Sequence, residues 1–230
     1  MKIIVSALFL LLTSHFTAGA QDINSLVLKA KQKLDKVNDY EATGRMKTNV
    51  TFLKVPIANV KVYYKRPNKL KVKSEKGVSF IPKGAVSINV GSIIGTNDYT
   101  IIDAGTDKIG TTTVRVARLL PNEDNSEVVL STVYIDQVNN LILKAKTTTR
   151  DNGSYELEMT YGKYAAFGLP DKIIFSFNTK DYKLPKGVTF DFDDGTKPTA
   201  SDKSNNKKGR AEITFSNYLI NKGVAESVFL

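Results

Sequence analysis

The residues after position 39 alternate between apolar and polar side chains, and this period of two limits the possible folds more than any other feature of the chain. From Tyr40 to Phe52 every second residue is apolar or small, as in an antiparallel strand with one buried face. Similar runs predict further strands at 57–65, 69–75, 78–81, 99–103, 111–119, 127–135, 141–150, 155–164, 172–178, 188–192 and 211–219. We therefore expect a mainly β protein with roughly ten consecutive antiparallel strands.

Short turn sequences separate most of these strands. Asp151-Asn152-Gly153 lies between two alternating runs and is a strong hairpin signal, and Pro67-Asn68 is a second turn. Because strand twist accumulates across a long sheet, a meander of this length is expected to curl. The sequence therefore predicts a curved antiparallel meander that curls into either an open or a closed barrel.

One helix precedes the strands. Asp22 is a plausible N-cap, and apolar residues recur at helical spacing at Ile23, Leu26, Val27, Ala30, Leu34 and Val37. This pattern predicts an amphipathic helix of about four turns. Since the strands offer the only large apolar surface, the helix is expected to cover the concave side of the sheet.

Two stretches interrupt the strand pattern. Residues 82–97 are apolar but punctuated by glycine, which is typical of a movable lid. Residues 193–209 are polar and of low complexity, and we interpret them as a flexible loop before the last strand.

The first twenty residues have the pattern of a cleavable export signal. Lys2 is followed by an apolar run, and Ala18-Gly19-Ala20 is a typical cleavage site. The apolar run is about ten residues long, well short of the roughly 20 that span a bilayer. We therefore expect residues 1–20 to be removed and residues 21–230 to form a single exported, soluble domain.

The composition argues against an enzyme. The single histidine, His15, lies in the leader, and the chain contains neither cysteine nor tryptophan. The mature protein thus lacks imidazole bases, thiol nucleophiles and the usual metal ligands. A binding protein without cofactor or metal is the better prediction.

The charge predicts anionic partners. Of 33 Lys and Arg residues only Lys2 lies in the leader, which leaves 32 basic residues against 23 acidic ones. No nucleic-acid motif is recognisable, so nucleic acid is not expected as a partner. A basic set on the second and third strands is either a headgroup-facing or partner-facing patch or an ordinary solvated strand face; it consists of Lys61, Lys65, Arg66, Lys69, Lys71 and Lys73.

Two segments carry a resemblance to a known family. KLDKVNDYEATGRMK (Lys33–Lys47) and VKVYYKRPNKLKV (Val60–Val72) resemble the N-terminal third of the periplasmic carriers of outer-membrane lipoproteins, the LolA-like and LolB-like superfamily. The resemblance implies a folded-over, incomplete barrel whose apolar interior is covered by helical lids. It also implies a periplasmic protein that ferries the acyl chains of lipoproteins between membranes.

The resemblance assigns roles to a few residues. Arg66 matches the arginine that hydrogen-bonds to the lid and holds the cavity closed, and Leu34 matches a helix leucine that faces the cavity. Leu70 occupies the place of a phenylalanine in well-known members. The region from Ile81 to Ile94, with Ile81, Ile93 and Ile94 as its apolar contacts, is expected to cover the opening together with Leu34.

Three functions follow from these observations. The first is a monomeric periplasmic carrier of lipid or lipoprotein acyl chains, with transient inner-membrane and outer-membrane protein partners. The second keeps the fold but gives it a regulatory role as an envelope-stress sensor. The third is a carboxylate-dependent glycan hydrolase, which needs two acids about 5–10 Å apart; candidates are Glu156, Glu158, Asp191 and Asp193.

Overall fold

The fold is known from a computed structural model, which describes residues 22–49, 57–67, 69–74, 94, 98–151, 153–178 and 208–230. The predicted leader, residues 81 and 93, the strands predicted at 78–81 and 188–192, and most of the polar 193–209 stretch lie outside these residues. The described part contains one α-helix, ten strands and two short 3₁₀ turns at Ala165–Phe167 and Glu226–Val228.

The elements follow one another in a simple order. They are α1 (Ile23–Leu34), β1 (Asp39–Asn49), β2 (Ala58–Lys65), β3 (Lys69–Ser74), β4 (Tyr99–Ile109), β5 (Thr112–Pro121), β6 (Val128–Asp136), β7 (Leu141–Thr149), β8 (Ser154–Thr160), β9 (Lys172–Asn178) and β10 (Lys208–Ile220). The prediction of a mainly β chain with an N-terminal helix is confirmed.

The ten described strands form one antiparallel sheet in the order β3-β2-β1-β10-β9-β8-β7-β6-β5-β4. Two meanders, β1 to β3 and β4 to β10, are joined where β10 pairs with β1. The outermost strands, β3 and β4, lie at opposite ends of this order, so the sheet is an open half-barrel and not a closed barrel. The antiparallel meander expected from the alternating pattern and the incomplete barrel implied by the resemblance are both confirmed.

Helix α1 begins as the sequence predicts. The Asp22 carboxylate accepts a hydrogen bond from the Ser25 backbone N–H at 3.2 Å, which caps the first turn. The helix ends at Leu34, one turn earlier than the apolar spacing suggests. Val37 is nevertheless buried, because its N–H donates to the Leu34 carbonyl and turns the chain back toward the core.

Two strands end at different residues from those predicted, each for a physical reason. Strand β4 continues to Ile109 instead of ending at 103, because a bulge at Gly105 (φ 83°) lets pairing with β5 resume at Thr106. Strand β8 ends at Thr160 and not at 164, because the chain turns into Ala165–Phe167.

The polar stretch predicted for 193–209 also extends too far. Residues 208 and 209 belong to β10, where Lys208 pairs with Asn178 and Gly209 pairs with Phe177. The Phe177 ring covers Gly209 so closely that a Cβ there would lie 2.3 Å from Cζ. Gly209 was predicted as part of a loop because its neighbours in sequence are polar, but it belongs to a strand and lies beneath an aromatic ring.

The hydrophobic core lies between α1 and the face of the sheet that it covers, which we call the concave face. Leu26 of α1 packs in one cluster with residues from most strands, including Val62, Leu119, Ile135 and Phe175. The alternation along β1 and β2 places charged residues on the opposite, convex face.

Candidate functional site

The concave face is apolar across nearly its whole width. The strand registers place buried residues side by side in rows, of which one is Ala211, Phe175, Leu157, Ala145, Val133 and Ala117. A second row, near the helix C-terminus, is formed by Leu70, Tyr64, Tyr40 and Ile220. Such a surface has the chemistry of an apolar ligand site.

Helix α1 covers only part of this face. It packs chiefly against β4, β5, β6 and the Ala165–Phe167 turn. Twelve helical residues span about 18 Å, whereas ten strands side by side span about 43 Å before curvature. The concave face therefore continues over β2, β1 and β10, which are not among the strands that the helix chiefly contacts.

A shallow depression opens at the C-terminal end of α1. Its cavity volume is about 10 Å³, room for about one water molecule, and its lining consists of Ala30, Leu34, Asn140, Leu141, Ile142, Tyr161 and Gly168. Leu34 lies against Gly168, where an added Cβ would be 3.1 Å from Leu34 Cδ2. The structure thus places Leu34 at the edge of this small depression.

Polar groups surround this depression. Lys33 Nζ donates to the carbonyl oxygens of Asn139, at 2.5 Å, and Ala165, at 3.4 Å, and so ties α1 to the β6–β7 turn and to the 3₁₀ turn. Burial lowers the pKa of Lys33, and the neighbouring charge of Lys36 adds to this effect. Asn140 adopts a left-handed conformation with φ 51°, and the Tyr161 hydroxyl donates to the Ile142 carbonyl at 2.8 Å.

Asn140, Ile142 and Tyr161 are not among the site residues predicted from the sequence. Tyr161 falls in the strand predicted at 155–164 and Asn140 directly precedes the strand predicted at 141–150, and nothing in their spacing indicates that they meet α1. Their position depends on the packing of the helix across the β6–β7 turn, which is a contact between distant parts of the chain.

Arg66 lies at the end of β2, directly before the cis-Pro67 bond. Its guanidinium donates to Asp35 Oδ1 at 2.5 Å, and Asp35 also accepts from Lys31 Nζ at 2.9 Å. The side chains of Arg66 and Asp35 are 39% and 38% exposed. Arg66 therefore joins β2 to the C-terminus of α1.

Leu70 and Ile94 both contact the interior. Leu70 pairs with Tyr64 on the concave face and is partly buried against the core, and Ile94 is only 2% exposed within the same cluster. Ile81 and Ile93 lie outside the described residues. Leu34, Leu70 and Ile94 thus adjoin one core, while Arg66 stands at its margin.

A cluster of aromatic side chains occupies the end of the concave face near the α1 C-terminus. Tyr218 contacts Tyr40, Tyr164 and Phe215 with ring centroids 4.8–5.3 Å apart. Its hydroxyl donates to the Pro170 carbonyl at 2.7 Å, and burial raises its pKa. The Tyr164 pKa is lowered because its oxygen accepts from the Tyr218 N–H.

The lysines of β2 and β3 lie on the convex face, where Lys61 is opposite Lys73 and Lys65 is opposite Lys69. Several have acidic or carbonyl partners: Lys61 pairs with Glu41, Lys65 and Lys69 pair with Glu226, and Lys71 donates to the Leu230 carbonyl. The segment after β10 therefore crosses this basic surface.

The acids proposed for a glycan hydrolase are on the convex face as well. Glu156 pairs with Lys144 at 2.8 Å and Lys146 at 3.6 Å, and Glu158 lies 3.8 Å from Lys144. Asp191 and Asp193 lie outside the described residues. Glu156 and Glu158 thus form cross-strand ion pairs on a solvated surface and do not line the depression beside α1.

Among the residues that the structure describes, no group of three or more His, Cys, Asp or Glu side chains is arranged to hold a metal ion. None of the helices in the described part is long and apolar enough to cross a membrane.

Several solved structures have a fold similar to that of this chain. A domain classed with outer membrane lipoprotein-sorting proteins, from Vibrio parahaemolyticus, matches 89% of this chain and 94% of its own at 14% identity, with a TM-score of 0.56. A DUF1329 family protein from Desulfovibrio piger has a TM-score of 0.54 at 13% identity and covers 89% of this chain and 94% of its own.

A LolA superfamily protein from Nitrosomonas europaea covers 89% of this chain and 97% of its own at 10% identity, with a TM-score of 0.55. No protein-family model matches the sequence, and no curated protein matches it. The likeness therefore lies in the three-dimensional structure: the chain shares its fold with these three proteins.

Proposed function

We propose that the protein is a periplasmic carrier that holds lipid or lipoprotein acyl chains against the concave face of the half-barrel. The observation that carries this proposal is the extent of the apolar face, which continues over β2, β1 and β10 beyond the strands chiefly contacted by α1. The lipoprotein-sorting description of one structural neighbour supports the same function.

The energetics of acyl chains suit such a face. Burial is worth about 0.8 kcal/mol per methylene, so a chain of about 16 carbons gains roughly 13 kcal/mol gross relative to water. An uncovered face of this kind would promote aggregation, so it requires contacts that a ligand can replace. In this proposal Leu34, Leu70, Ile81, Ile93 and Ile94 supply those contacts.

Arg66 acts as the latch in this proposal. It holds the C-terminus of α1 through Asp35, and both side chains are more than one-third exposed. Such a pair is weak enough to break when a ligand moves the helix. Ligand binding then selects the open arrangement, because only that arrangement exposes the concave face.

The remaining parts of the proposal concern processing and partners. Residues 1–20 are the export signal, residues 21–230 form one domain that acts as a monomer, and the cargo is an acylated lipoprotein or lipid. Transient partners at the inner and outer membranes load and unload the protein. The half-barrel serves binding and not catalysis.

The experiment combines identification of bound lipid with a matched pair of variants. Protein purified from the exported fraction is extracted and analysed by mass spectrometry, and delipidated protein is titrated with a fluorescent acyl probe. Ala58→Phe places a ring on the concave face at the start of β2, and Asn59→Phe places the same ring on the convex face one residue later.

We expect lipid to be extracted from the native protein and Ala58→Phe to weaken probe binding about tenfold, equivalent to about 1.4 kcal/mol. Asn59→Phe should bind as the parent does. Circular dichroism of both variants establishes that they are folded. Equal effects of the two substitutions, or delipidated parent protein that binds no acyl probe, would contradict the proposal.

A further inference from the structure

Thr48 places a hydroxyl group among the mostly apolar residues of the concave face. It follows Met46 in the alternation of β1, and the residue is only 7% exposed. Its Oγ1 is buried and has no hydrogen-bond partner among the residues that the structure describes. A buried polar group of this kind destabilises a protein unless something else satisfies it.

The residues beside Thr48 are small. Ala211 lies directly opposite it on β10, Gly209 is two residues further along that strand, and Ala58 on β2 pairs with Met46. Thr48, Ala58, Gly209 and Ala211 all lie at the same end of the sheet, where β1 ends and where β2 and β10 begin. Arg66 lies at the opposite end. Small residues thus border the hydroxyl on both neighbouring strands, and the rings of Phe175 and Phe177 on β9 lie beyond Ala211 and Gly209.

The other hydroxyl groups of the concave face are satisfied. Ser131 and Thr147 are both buried and lie 2.9 Å apart across β6 and β7, and Thr149 Oγ1 donates to the Gly153 carbonyl at 2.8 Å. Thr48 differs from them because it combines deep burial with an unused donor. This contrast indicates a site whose partner is a ligand.

We propose that the Thr48 hydroxyl donates a hydrogen bond to the carbonyl oxygen at the head of a bound acyl chain, as found in an ester or an amide. This inference rests on the proposed function. A hydrocarbon tail offers no acceptor, whereas an acyl carbonyl does, and the Thr48 position near the strand ends lets the rest of the headgroup leave the interior. Thr48 then selects acylated ligands over plain hydrocarbons.

The test uses delipidated full-length mature protein and three ligands that displace an apolar naphthylamine dye. Methyl palmitate carries an ester, N-methyl palmitamide carries an amide, and hexadecane carries neither. Thr48→Val keeps the shape of the side chain but removes the hydroxyl, and Thr48→Ser keeps the hydroxyl. We expect Thr48→Val to bind the ester or the amide about tenfold more weakly and hexadecane unchanged, and Thr48→Ser to retain carbonyl binding.

Thermal unfolding without ligand supplies a second readout. Thr48→Val should melt at a higher temperature than the parent, because a methyl group replaces an unsatisfied hydroxyl. The matched control Thr147→Val should melt at a lower temperature, because Ser131 loses its partner. A lower melting temperature for Thr48→Val would overturn the inference, since it would mean that the hydroxyl already has a partner.

The ligand affinities distinguish a failure of the Thr48 carbonyl site from a failure of the carrier function. If the parent binds hexadecane and esters but Thr48→Val changes all affinities equally or none, the carbonyl site is wrong and the carrier function stands. If the parent binds none of the three ligands, the carrier function itself fails. A loss confined to the ester or to the amide supports the inference and identifies which linkage the site accepts.

Discussion

At the scale of single residues, two glycines show how closely the chain approaches itself. A Cβ on Gly44 would lie 2.6 Å from the Thr214 carbonyl oxygen, at the bulge where β1 pairs with β10. A Cβ on Gly209 would meet the tip of the Phe177 ring instead. The first obstacle is backbone, and the second is a side chain that can rotate.

This difference predicts unequal costs for the same substitution. Gly44→Ala should lower the free energy of unfolding by about 3 kcal/mol and Gly209→Ala by about 1 kcal/mol, as measured by urea denaturation. Adding Phe177→Leu should offset part of the Gly209→Ala loss. A larger loss of unfolding free energy for Gly209→Ala than for Gly44→Ala would contradict this prediction. It would mean that the backbone of β1 and β10 moves apart more easily than the Phe177 ring rotates.

Glu226 gives a prediction for pH. Its hydrogen bonds with Lys65 and Lys69 lower its pKa from 4.5 to about 2. Because the folded pKa is depressed, the stabilising contact is fully present above pH 4.5 and is lost as the pH falls toward 2. NMR titration of the Glu226 carboxyl should report a midpoint near 2, and Glu226→Gln should remove the titration. A midpoint near 4.5 would show that this contact does not persist in solution.

At the scale of elements, α1 is joined to β2 by one exposed ion pair. Arg66→Leu and Asp35→Asn should each change the free energy of unfolding by less than about 1 kcal/mol, because both side chains are well solvated. If the pair is the latch, each variant should bind an acyl probe several-fold more tightly, since opening no longer breaks the contact.

The double variant provides the control for this prediction. Arg66→Leu with Asp35→Asn should bind the probe no more tightly than either single variant, because both remove the same contact. Fluorescence titration of the four proteins measures the coupling. Additive effects would separate Arg66 from Asp35 and would contradict the latch.

Some of these elements could be predicted from the sequence alone, and others could not. The Asp22 cap, the helix and most strands follow from local spacing and were predicted. The extension of β4 past Gly105 could not be predicted, because it depends on a bulge and on the partner strand β5. The 3₁₀ turn at Ala165–Phe167 was missed because Tyr161 and Tyr164 are strand-forming residues, which extend the predicted strand past its end at Thr160.

At the scale of the whole molecule, the pairing of β1 with β10 determines the site. It brings Ala42 next to Tyr218 and Thr48 next to Ala211, although these residues are far apart in sequence. Periodicity predicted the curved meander and its apolar face, and the resemblance implied that the barrel is incomplete, but no local pattern indicates which distant strands become neighbours. The positions of Leu34, Arg66 and Leu70 were expected from resemblance, whereas Thr48, Asn140 and Tyr161 required the tertiary structure.

The most direct test of the central claim is photochemical labelling with an acyl ester that carries a photoreactive group on its chain, followed by peptide mass spectrometry. The account predicts saturable labelling of concave-face residues such as Ala42, Val62 and Ala211, competed by unlabelled ester. Labelling confined to convex-face residues such as Thr43, Tyr63 and Glu212, or labelling that does not saturate, would contradict it.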